Sequence, residues 1–355
     1  MDRSSQHSLR YTRRATLAAA VASLLMVATS AAVGQAPDTA AERGAVTGTG
    51  IFTSFVEDMD RSLAFYHDAF DLQVPVLPEA GARPYNAANP KLFAMFAIPG
   101  AKERHQSARV PGSTIAVELM EIQNVEHRNI PLRLQDPGTV TIVFVVRDLD
   151  ATLQRARQAG AEVLTPGAGP VTLADGMRAV MIRDRDRRPI ELRQAAPPLP
   201  ATGHAILEMR LSIAVADLDR TAGVYRDVLG FTADEVERPP DATVLALTGL
   251  NRAAVRRRRV QGPGSTLWIE LIEYGGVDRT PQPMRIQDRG AARLQLRANN
   301  LDALVVAMKA AGLRVVSDGG TAVPIPPNFK GALVADPDNF FLTPFAPCDG
   351  CAPTL

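Results

Sequence analysis

Cysteine, histidine and tryptophan are scarce in this sequence, and their scarcity limits what the protein can do. The 355 residues include two cysteines, five histidines and one tryptophan. Two cysteines exclude a disulfide-rich scaffold and a four-cysteine zinc site. They stand close together near the C-terminus, as Cys348 and Cys351. Because no other cysteine can complete a metal site, this spacing favours a disulfide within the tail.

A large charge of either sign is also missing. The sequence has 39 basic and 38 acidic residues, for a net charge of +1. Proteins that bind nucleic acids usually carry a clear basic excess. Four consecutive arginines occur at residues 256–259, but no aromatic residues are interleaved with them. We therefore interpret this run as an edge strand with alternate residues solvated, and we expect no nucleic-acid partner.

Long apolar runs are absent except at the N-terminus. There, basic residues that include Arg13 and Arg14 precede the run, and small residues follow it. This order is typical of an export signal. We expect cleavage after Ala32 or Ala36, which makes residues 1–36 a signal peptide. The mature protein is then periplasmic or secreted, without a membrane partner. A retained anchor is the alternative, although serine and threonine interrupt the run.

The rest of the chain is a duplication. The segment VEDMDRSLAFYHD from Val56 returns as VADLDRTAGVYRD from Val215, 159 residues later. The segment STIAVELMEI from Ser113 returns as STLWIELIEY from Ser265, 152 residues later. A proline-rich stretch at residues 197–204 separates the copies. We predict domains at residues 46–196 and 204–346 and a C-terminal tail at residues 347–355.

Each copy is itself double. The segments FVEDMDRSLAFY and VVRDLDATLQRA both read as a strand, a capping aspartate and an amphipathic helix. Three strand-like runs follow each helix, for example ATVLALTGL, AAVRRRRVQ and STLWIELIEY, with Gly and Pro between them. The sequence therefore predicts an α+β fold of four βαβββ modules.

This arrangement resembles the vicinal oxygen chelate superfamily, which includes glyoxalase I, bleomycin-resistance proteins and extradiol dioxygenases. The resemblance covers roughly residues 49–346. It rests on the module order, on the D-x-D-R helix start and on the DPDN turn at residues 336–339. It implies that consecutive modules pair into two cupped mixed β-sheet domains with helices outside. It also implies a divalent metal in a cup, held by a histidine of a first strand and a glutamate of a last strand.

Only three of the eight implied metal ligands are present, and all three are glutamates. The histidine places hold Ile51, Thr141, Arg210 and Arg293. The glutamate places hold Glu118, Glu191, Glu270 and Thr343. Carboxylates alone suit a hard cation that keeps its waters, whereas tight binding of Zn, Ni or Fe normally uses imidazole. We therefore expect no metal cofactor.

In the first domain, strand alternation combined with the module pairing that the resemblance implies places Glu118, Glu191 and Thr141 on the inner face of one apolar cup. Two nearby carboxylates repel each other, so the pKa of one should rise. The pair is thus a candidate catalytic centre with one glutamate as general base. Two glutamates at a wet rim are the alternative.

In the second domain the inner face is cationic. Arg210 and Arg293 would flank Glu270 at the metal position, either as a structural cluster or as a site for a carboxylate or phosphate. The candidate ligand-binding residues are Arg210, Trp268, Glu270, Tyr274, Arg293 and Arg297.

Three functions remain open on the sequence. The first is metal-independent binding of a small molecule, which can be anionic, as the resemblance to bleomycin-resistance proteins implies. The second is a lyase, isomerase or extradiol-type dioxygenase with an atypical centre at Glu118 and Glu191. The third is a non-catalytic structural module whose cups are filled.

Overall fold

The described part of the chain is almost entirely the repeated region. The structure, a computed structural model, describes residues 44–74, 85, 90–111, 113, 115–199, 203–234, 242–325, 327–348 and 351. The predicted signal peptide lies outside these residues. No helix within them is long and apolar enough to cross a membrane.

Each of the four modules starts with a long strand and a helix and continues with further strands. Module 1 contains β1 (Val46–Val56), α1 (Met59–Phe70), α2 (Pro90–Phe96), β2 (Lys102–Arg109) and β3 (Ala116–Gln123). Module 2 contains β4 (Val140–Val146), α3 (Leu149–Gln158), β5 (Glu162–Val163), β6 (Val171–Thr172), β7 (Arg178–Arg183) and β8 (Pro189–Gln194). Module 3 contains β9 (Ile206–Ala214), α4 (Leu218–Asp227), β10 (Thr232–Ala233), α5 (Ala242–Thr248), β11 (Ala254–Gln261) and β12 (Trp268–Gly275). Module 4 contains β13 (Ala292–Ala298), α6 (Leu301–Ala310), β14 (Arg314–Val315), a short 3₁₀ turn (Asp318–Gly320), β15 (Val323–Ile325), β16 (Phe329–Gly331), β17 (Val334–Ala335) and β18 (Phe341–Pro347).

The first helix of every module covers the outer face of a sheet. Each helix begins after a side chain that accepts a hydrogen bond from the backbone N–H three residues later, which confirms the predicted caps. These caps are Asp58, Asp148, Asp217 and Asn300. The strand residues facing the helices form the main hydrophobic core. Leu211, Ile213, Leu294 and Leu296 belong to it, as strand alternation predicts.

One segment predicted to be a strand is a helix. Residues 242–248 of ATVLALTGL form α5, and α2 occupies the corresponding place in module 1. Alanine and leucine favour a helix, and this helix buries Val244 and Leu247 against the inner face of a sheet. Packing against the inner face of the sheet favours apolar side chains at helical spacing. The local strand pattern therefore gave a wrong prediction for this segment.

The modules pair differently from the prediction. The first sheet, called sheet A, has the order β14-β17-β18-β13-β1-β3-β2. The second, sheet B, has the order β10-β11-β12-β9-β4-β8-β7-β5. Sheet A thus combines modules 1 and 4, and sheet B combines modules 2 and 3. The fold class is confirmed, but the expectation that residues 46–196 and 204–346 each form their own sheet is wrong.

The two joins are made by first strands. β1 pairs antiparallel with β13, and β4 pairs antiparallel with β9. All four strands offer equivalent unpaired edges, so several pairings would satisfy the same backbone groups. The repeat pattern alone therefore could not identify the partner of each module.

Buried hydrogen bonds on the outer side tie each half together. The Tyr66 hydroxyl of α1 donates to Asp184 in module 2 at 2.9 Å. The Tyr225 hydroxyl of α4 donates to Asp336 in module 4 at 3.1 Å. A second bond accompanies each: Ser62 donates to Asp186, and Thr221 donates to Asp338. Each half is thus held by its helices, whereas each sheet is held by strands from both halves.

A buried arginine connects the two sheets. The Arg188 side chain is almost fully buried. Its guanidinium donates to the carbonyl of Val140, at the start of β4, and to the carbonyl of Ala291, next to the start of β13. Burial lowers the pKa of Arg188, while the nearby carboxylates Asp184 and Asp186 favour its charged form. One side chain therefore links the start of β4 in sheet B to the start of β13 in sheet A.

The predicted tail disulfide is confirmed. Cys348 and Cys351 are bonded to each other directly after β18.

Cutting the chain between its halves tests the exchanged pairing. A protease site inserted at residues 200–202 should be cleaved without loss of native β-structure, because each sheet contains strands from both halves. We expect the two fragments to elute together at the intact mass in gel filtration and to separate in denaturant. Two folded halves that elute separately in buffer would contradict the exchange.

Candidate functional site

The inner face of sheet A, called cup A, carries a row of residues from five neighbouring strands. The strand register places them side by side. The row consists of Ser107, Glu118, Thr53, Arg293 and Phe341. Glu118 and Arg293 come from opposite halves of the chain, and the pairing of β1 with β13 brings them together.

Glu118 is buried and fully engaged at the centre of this row. One carboxylate oxygen accepts hydrogen bonds from the Thr53 hydroxyl at 2.7 Å and from the Arg293 guanidinium at 2.9 Å. Burial alone would raise the pKa of Glu118, but His105, Arg293 and Thr53 together hold it below its ordinary value. The lowered pKa and the salt bridge make Glu118 a weak proton acceptor, which does not suit a general base.

His105 also lies in this cluster, although the sequence alone suggests a solvated position in a loop or just before a strand. His105 stands on β2, and its Nδ1 lies 2.8 Å from the carboxylate of the buried Glu103. Burial alone would lower the pKa of His105, but Glu103 and Glu118 raise it to about 9. The imidazole thus carries a positive charge at neutral pH.

Apolar side chains fill the rest of cup A. Helix α2 places Phe93, Met95 and Phe96 against Phe55 and Met120 of the sheet. The Arg293 guanidinium lies over the Phe96 ring, 5.4 Å from its centroid. Only 3% of the Glu118 side chain and 5% of the Arg293 side chain are exposed. The charged centre of cup A is consequently sealed.

The inner face of sheet B, called cup B, has the same plan with different residues. One row across four strands consists of Thr141, Ser212, Glu270 and Arg259. A neighbouring row contains Arg210, Val143, Glu191 and Met181. Trp268 stands on β12 two residues before Glu270 and faces the same side. Glu191 and Glu270 are therefore the two carboxylates that share a cup.

Most of the charges in cup B are paired with each other. Arg193 contacts Glu191 at 2.8 Å. Arg210 binds both carboxylate oxygens of Glu208, at 2.8 and 2.6 Å. Arg257 lies 3.9 Å from Glu270. These pairs are less enclosed than those of cup A, since 26% of the Glu270 side chain and 37% of the Arg210 side chain are exposed.

A single difference explains why cup B is more open. Thr141 occupies in sheet B the place that Arg293 occupies in sheet A, next to the serine or threonine that adjoins the central glutamate. A threonine is too short to cover Glu270 as Arg293 covers Glu118. Helix α5 closes one end of cup B, where Val244 packs with Ile272 and Tyr274. The end beside Trp268 and Arg210 stays partly exposed.

The pKa of Tyr274 is affected by both glutamates of cup B. Its side chain is buried, and burial raises the pKa of Tyr274, with further contributions from Glu270 and Glu191. The phenol therefore stays protonated and can donate a hydrogen bond.

The four-arginine run is β11, and its alternate side chains serve opposite faces. On the outer face, Arg256 and Arg258 contact Asp219 of α4 at 2.8 and 3.3 Å. On the inner face, Arg257 and Arg259 enter cup B. The run is thus structural on one side and part of the candidate site on the other, so the expectation of solvated alternate residues is wrong.

The sites predicted from the sequence are not assembled as expected. Glu118 and Glu191 lie in different sheets, so they form no joint catalytic centre; Thr141 lies with Glu191. Arg210 and Arg293 also lie in different sheets, so they do not flank Glu270 together. Arg297 is exposed at the end of β13, in sheet A.

Several site residues were missed by sequence reasoning. The missed residues are Glu103, His105, Arg193, Arg257 and Arg259. Each lies on a strand whose alternation assigns it to the inner face. The many charged residues of β2 and β11 are typical of solvated edge strands, which hides this signal.

The residues at the implied metal places do not fit a metal ion. Each cup has an arginine at one of these places, Arg293 in cup A and Arg210 in cup B, and a guanidinium cannot ligate a cation. The carboxylates Glu118 and Glu191 are salt-bridged to arginines. Among the residues that the structure describes, no group of three or more His, Cys, Asp and Glu side chains could hold a metal.

Two surface clefts are also present. One, of about 590 Å³, is lined by residues of α1 and α3 such as His67 and Arg155. Another, of about 380 Å³, borders cup A, since Phe96 and Phe341 line it together with Met284 and Arg314. Neither contains a residue from the implied metal places, so cup B remains the candidate site.

Comparisons with known proteins agree with this architecture. A family model described as the Glyoxalase/Bleomycin resistance protein/Dioxygenase superfamily matches residues 49–192 and 205–341. The crystal structure of glyoxalase I from Zea mays aligns with a TM-score of 0.54 and 18% identity, covering 86% of this chain and 94% of that one. A crystal structure of a mutant of the maize enzyme aligns with a TM-score of 0.53 and 17% identity over the same shares. No curated protein matches the chain.

Removing each central glutamate should show which cup depends on its ion pair. Glu118→Ala leaves Arg293 buried without its carboxylate, so we expect a loss of about 3–5 kcal/mol in the free energy of unfolding. Glu270→Ala should cost about 1 kcal/mol or less, because that side chain is partly solvated. Denaturant titration of both variants measures the difference, and equal losses would contradict the assignment of cup A as the sealed cup.

Proposed function

The chain belongs to the glyoxalase/bleomycin resistance protein/dioxygenase superfamily, and from this membership we propose that it is an exported protein that binds a small molecule without a metal. The observation that best supports this proposal is the contrast between the two cups. Cup A has its charged centre sealed by Arg293 and α2, whereas cup B keeps partly exposed charged side chains around Glu191 and Glu270.

Metal independence is supported by the arginines at the implied ligand places. Arg293 supplies Glu118 with a fixed positive charge at 2.9 Å, where a cation would otherwise neutralise the carboxylate. In cup B, Arg193 and Arg210 place two further guanidiniums beside the glutamates, and these would repel a divalent ion.

Cup B has the chemical character of a small-molecule site. Such sites combine apolar walls with a few polar groups that fix orientation. Val143 and Val145 supply buried apolar surface on the inner face of β4. Trp268 and Arg210 lie at the partly exposed end, and Tyr274 offers a protonated hydroxyl. We propose that the ligand lies across β4 and β9, between these walls.

Of the two alternative functions, we retain only the structural role, and only for cup A. A lyase, isomerase or dioxygenase centre built on Glu118 and Glu191 is not retained, because the two residues lie in different sheets. The structural role fits cup A alone, whose interior is occupied by its own side chains.

Copying cup A into cup B tests the proposal. Thr141→Arg introduces into cup B the arginine that seals cup A, and Thr141→Ser is the matched control at the same position. The metal content of the purified protein is measured first. A panel of small carboxylates, phosphates, amines and neutral aromatics is then screened for binding by thermal shift. We expect at least one compound to stabilise the parent and the Thr141→Ser protein. The Thr141→Arg protein should bind it at least about tenfold more weakly.

Two results would overturn the proposal. One is a stoichiometric transition metal whose removal abolishes binding. The other is unchanged binding in a folded Thr141→Arg protein, with its fold checked by circular dichroism.

Export is the second part of the proposal. It is supported by the order of basic, apolar and small residues in the first 36 positions and by the Cys348–Cys351 disulfide, which suits an oxidising compartment. In a bacterial host, we expect the protein in the periplasm or medium with a new N-terminus near residue 33 or 37, measured by mass spectrometry. An intact Met1 in the cytoplasmic fraction would argue against export.

A further inference from the structure

Arg259 has no hydrogen-bond acceptor among the described residues, unlike Arg193 and Arg210, which donate to neighbouring glutamates. Its Nε is buried without a partner. Its nearest carboxylate oxygen among the described residues, on Asp234, lies 3.9 Å away, which is too far for a hydrogen bond. Arg257 is equally far from its glutamate, but its side chain is more deeply buried than that of Arg259. Arg259 therefore has accessible hydrogen-bonding capacity to spare.

An aromatic ring holds this guanidinium in place. The Arg259 Cζ lies over the Trp268 ring, 4.2 Å from its centroid. A stacked guanidinium gains cation–π attraction through its face, while its N–H groups point outward in its plane. The side chain remains 33% exposed. The stack thus holds the Arg259 guanidinium in place and leaves its N–H donors free.

The location connects these donors with the candidate ligand site. Arg259 lies opposite Glu270 in the register of β11 and β12, and Trp268 lies on the same inner face. Glu270 in turn adjoins Ser212 and Thr141 across the sheet. A group bound by Arg259 would therefore be continuous with a ligand lying over β9 and β4.

We propose that Arg259, stacked on Trp268, binds an oxyanion of the ligand, either a carboxylate or a phosphate, while the apolar body of the ligand lies towards Val143. This inference rests on the proposed small-molecule site and names its ligand class. Paired donors on a planar guanidinium match two oxygens of a carboxylate or phosphate. Glu270, on the neighbouring strand, disfavours placing the anion deeper in the cup.

The composition of the chain offers a direct probe, because Trp268 is its one tryptophan. Tryptophan fluorescence therefore reports on the stack itself. We titrate the protein with benzoate, with the neutral isostere benzamide and with inorganic phosphate. Benzoate should change the emission saturably and bind at least about tenfold more tightly than benzamide. Saturable binding of phosphate with no response to benzoate would assign the site to phosphate-bearing ligands.

Variants of β11 separate charge from geometry. Arg259→Gln should weaken benzoate binding at least about tenfold, because it removes the paired donors. Arg259→Lys should weaken it by a smaller factor, since lysine keeps the charge but lacks the planar fork. Arg258→Gln is the matched control, because Arg258 is on the same strand but faces α4. Its affinity should stay within about twofold of the parent. Calorimetry provides a second readout, independent of the tryptophan.

The outcomes distinguish this inference from the proposed function. Equal affinities for benzoate and benzamide, or equal affinities in the parent and Arg259→Gln proteins, would overturn the oxyanion site. If other panel compounds still bind and lose affinity in Thr141→Arg, the small-molecule site stands without it. If no compound of the panel binds the parent protein, both proposals fail.

Discussion

The unpaired edge of each first strand is the constraint on which the rest of this structure depends. A strand edge exposes backbone donors and acceptors that must find partners, and the four modules offer four such edges. Pairing β1 with β13 and β4 with β9 satisfies all of them. This choice makes both sheets composites of the two halves. It also decides which side chains meet in each cup.

The exchanged pairing explains the buried polar groups outside the cups. Charge burial is costly unless partners surround it, and Arg188 is surrounded by carbonyls from the starts of β4 and β13. The corresponding place in module 4, 152 residues later, holds Phe340. One arginine is enough because it reaches both sheets. The bonds of Tyr66 and Tyr225 to the aspartates of the following modules then hold the helices against the composite sheets.

The two cups of this duplicated scaffold differ in how far their central charges are enclosed. In cup A, a guanidinium gives the central glutamate a positive charge and a directional hydrogen bond, in place of the charge and the coordinate bond of a metal ion. This guanidinium belongs to the chain itself, and it balances the negative charge of Glu118. In cup B, Thr141 stands at the equivalent place and is too short to cover Glu270, which stays partly exposed. The surrounding arginines are mostly neutralised by glutamates, and Arg259 keeps its donors through stacking alone.

The sequence by itself determined the local features of this protein. Strand alternation assigned Leu211 and Leu294 to the core and Glu118 and Glu270 to inner faces, and the caps of all four first helices were correct. These features follow from period and chemistry within about ten residues. The tertiary structure alone decided which inner faces share a cup. Glu118 meets Arg293, 175 residues away, because the partner of an edge depends on the relative free energies of several nearly equivalent pairings, and no local pattern records that difference.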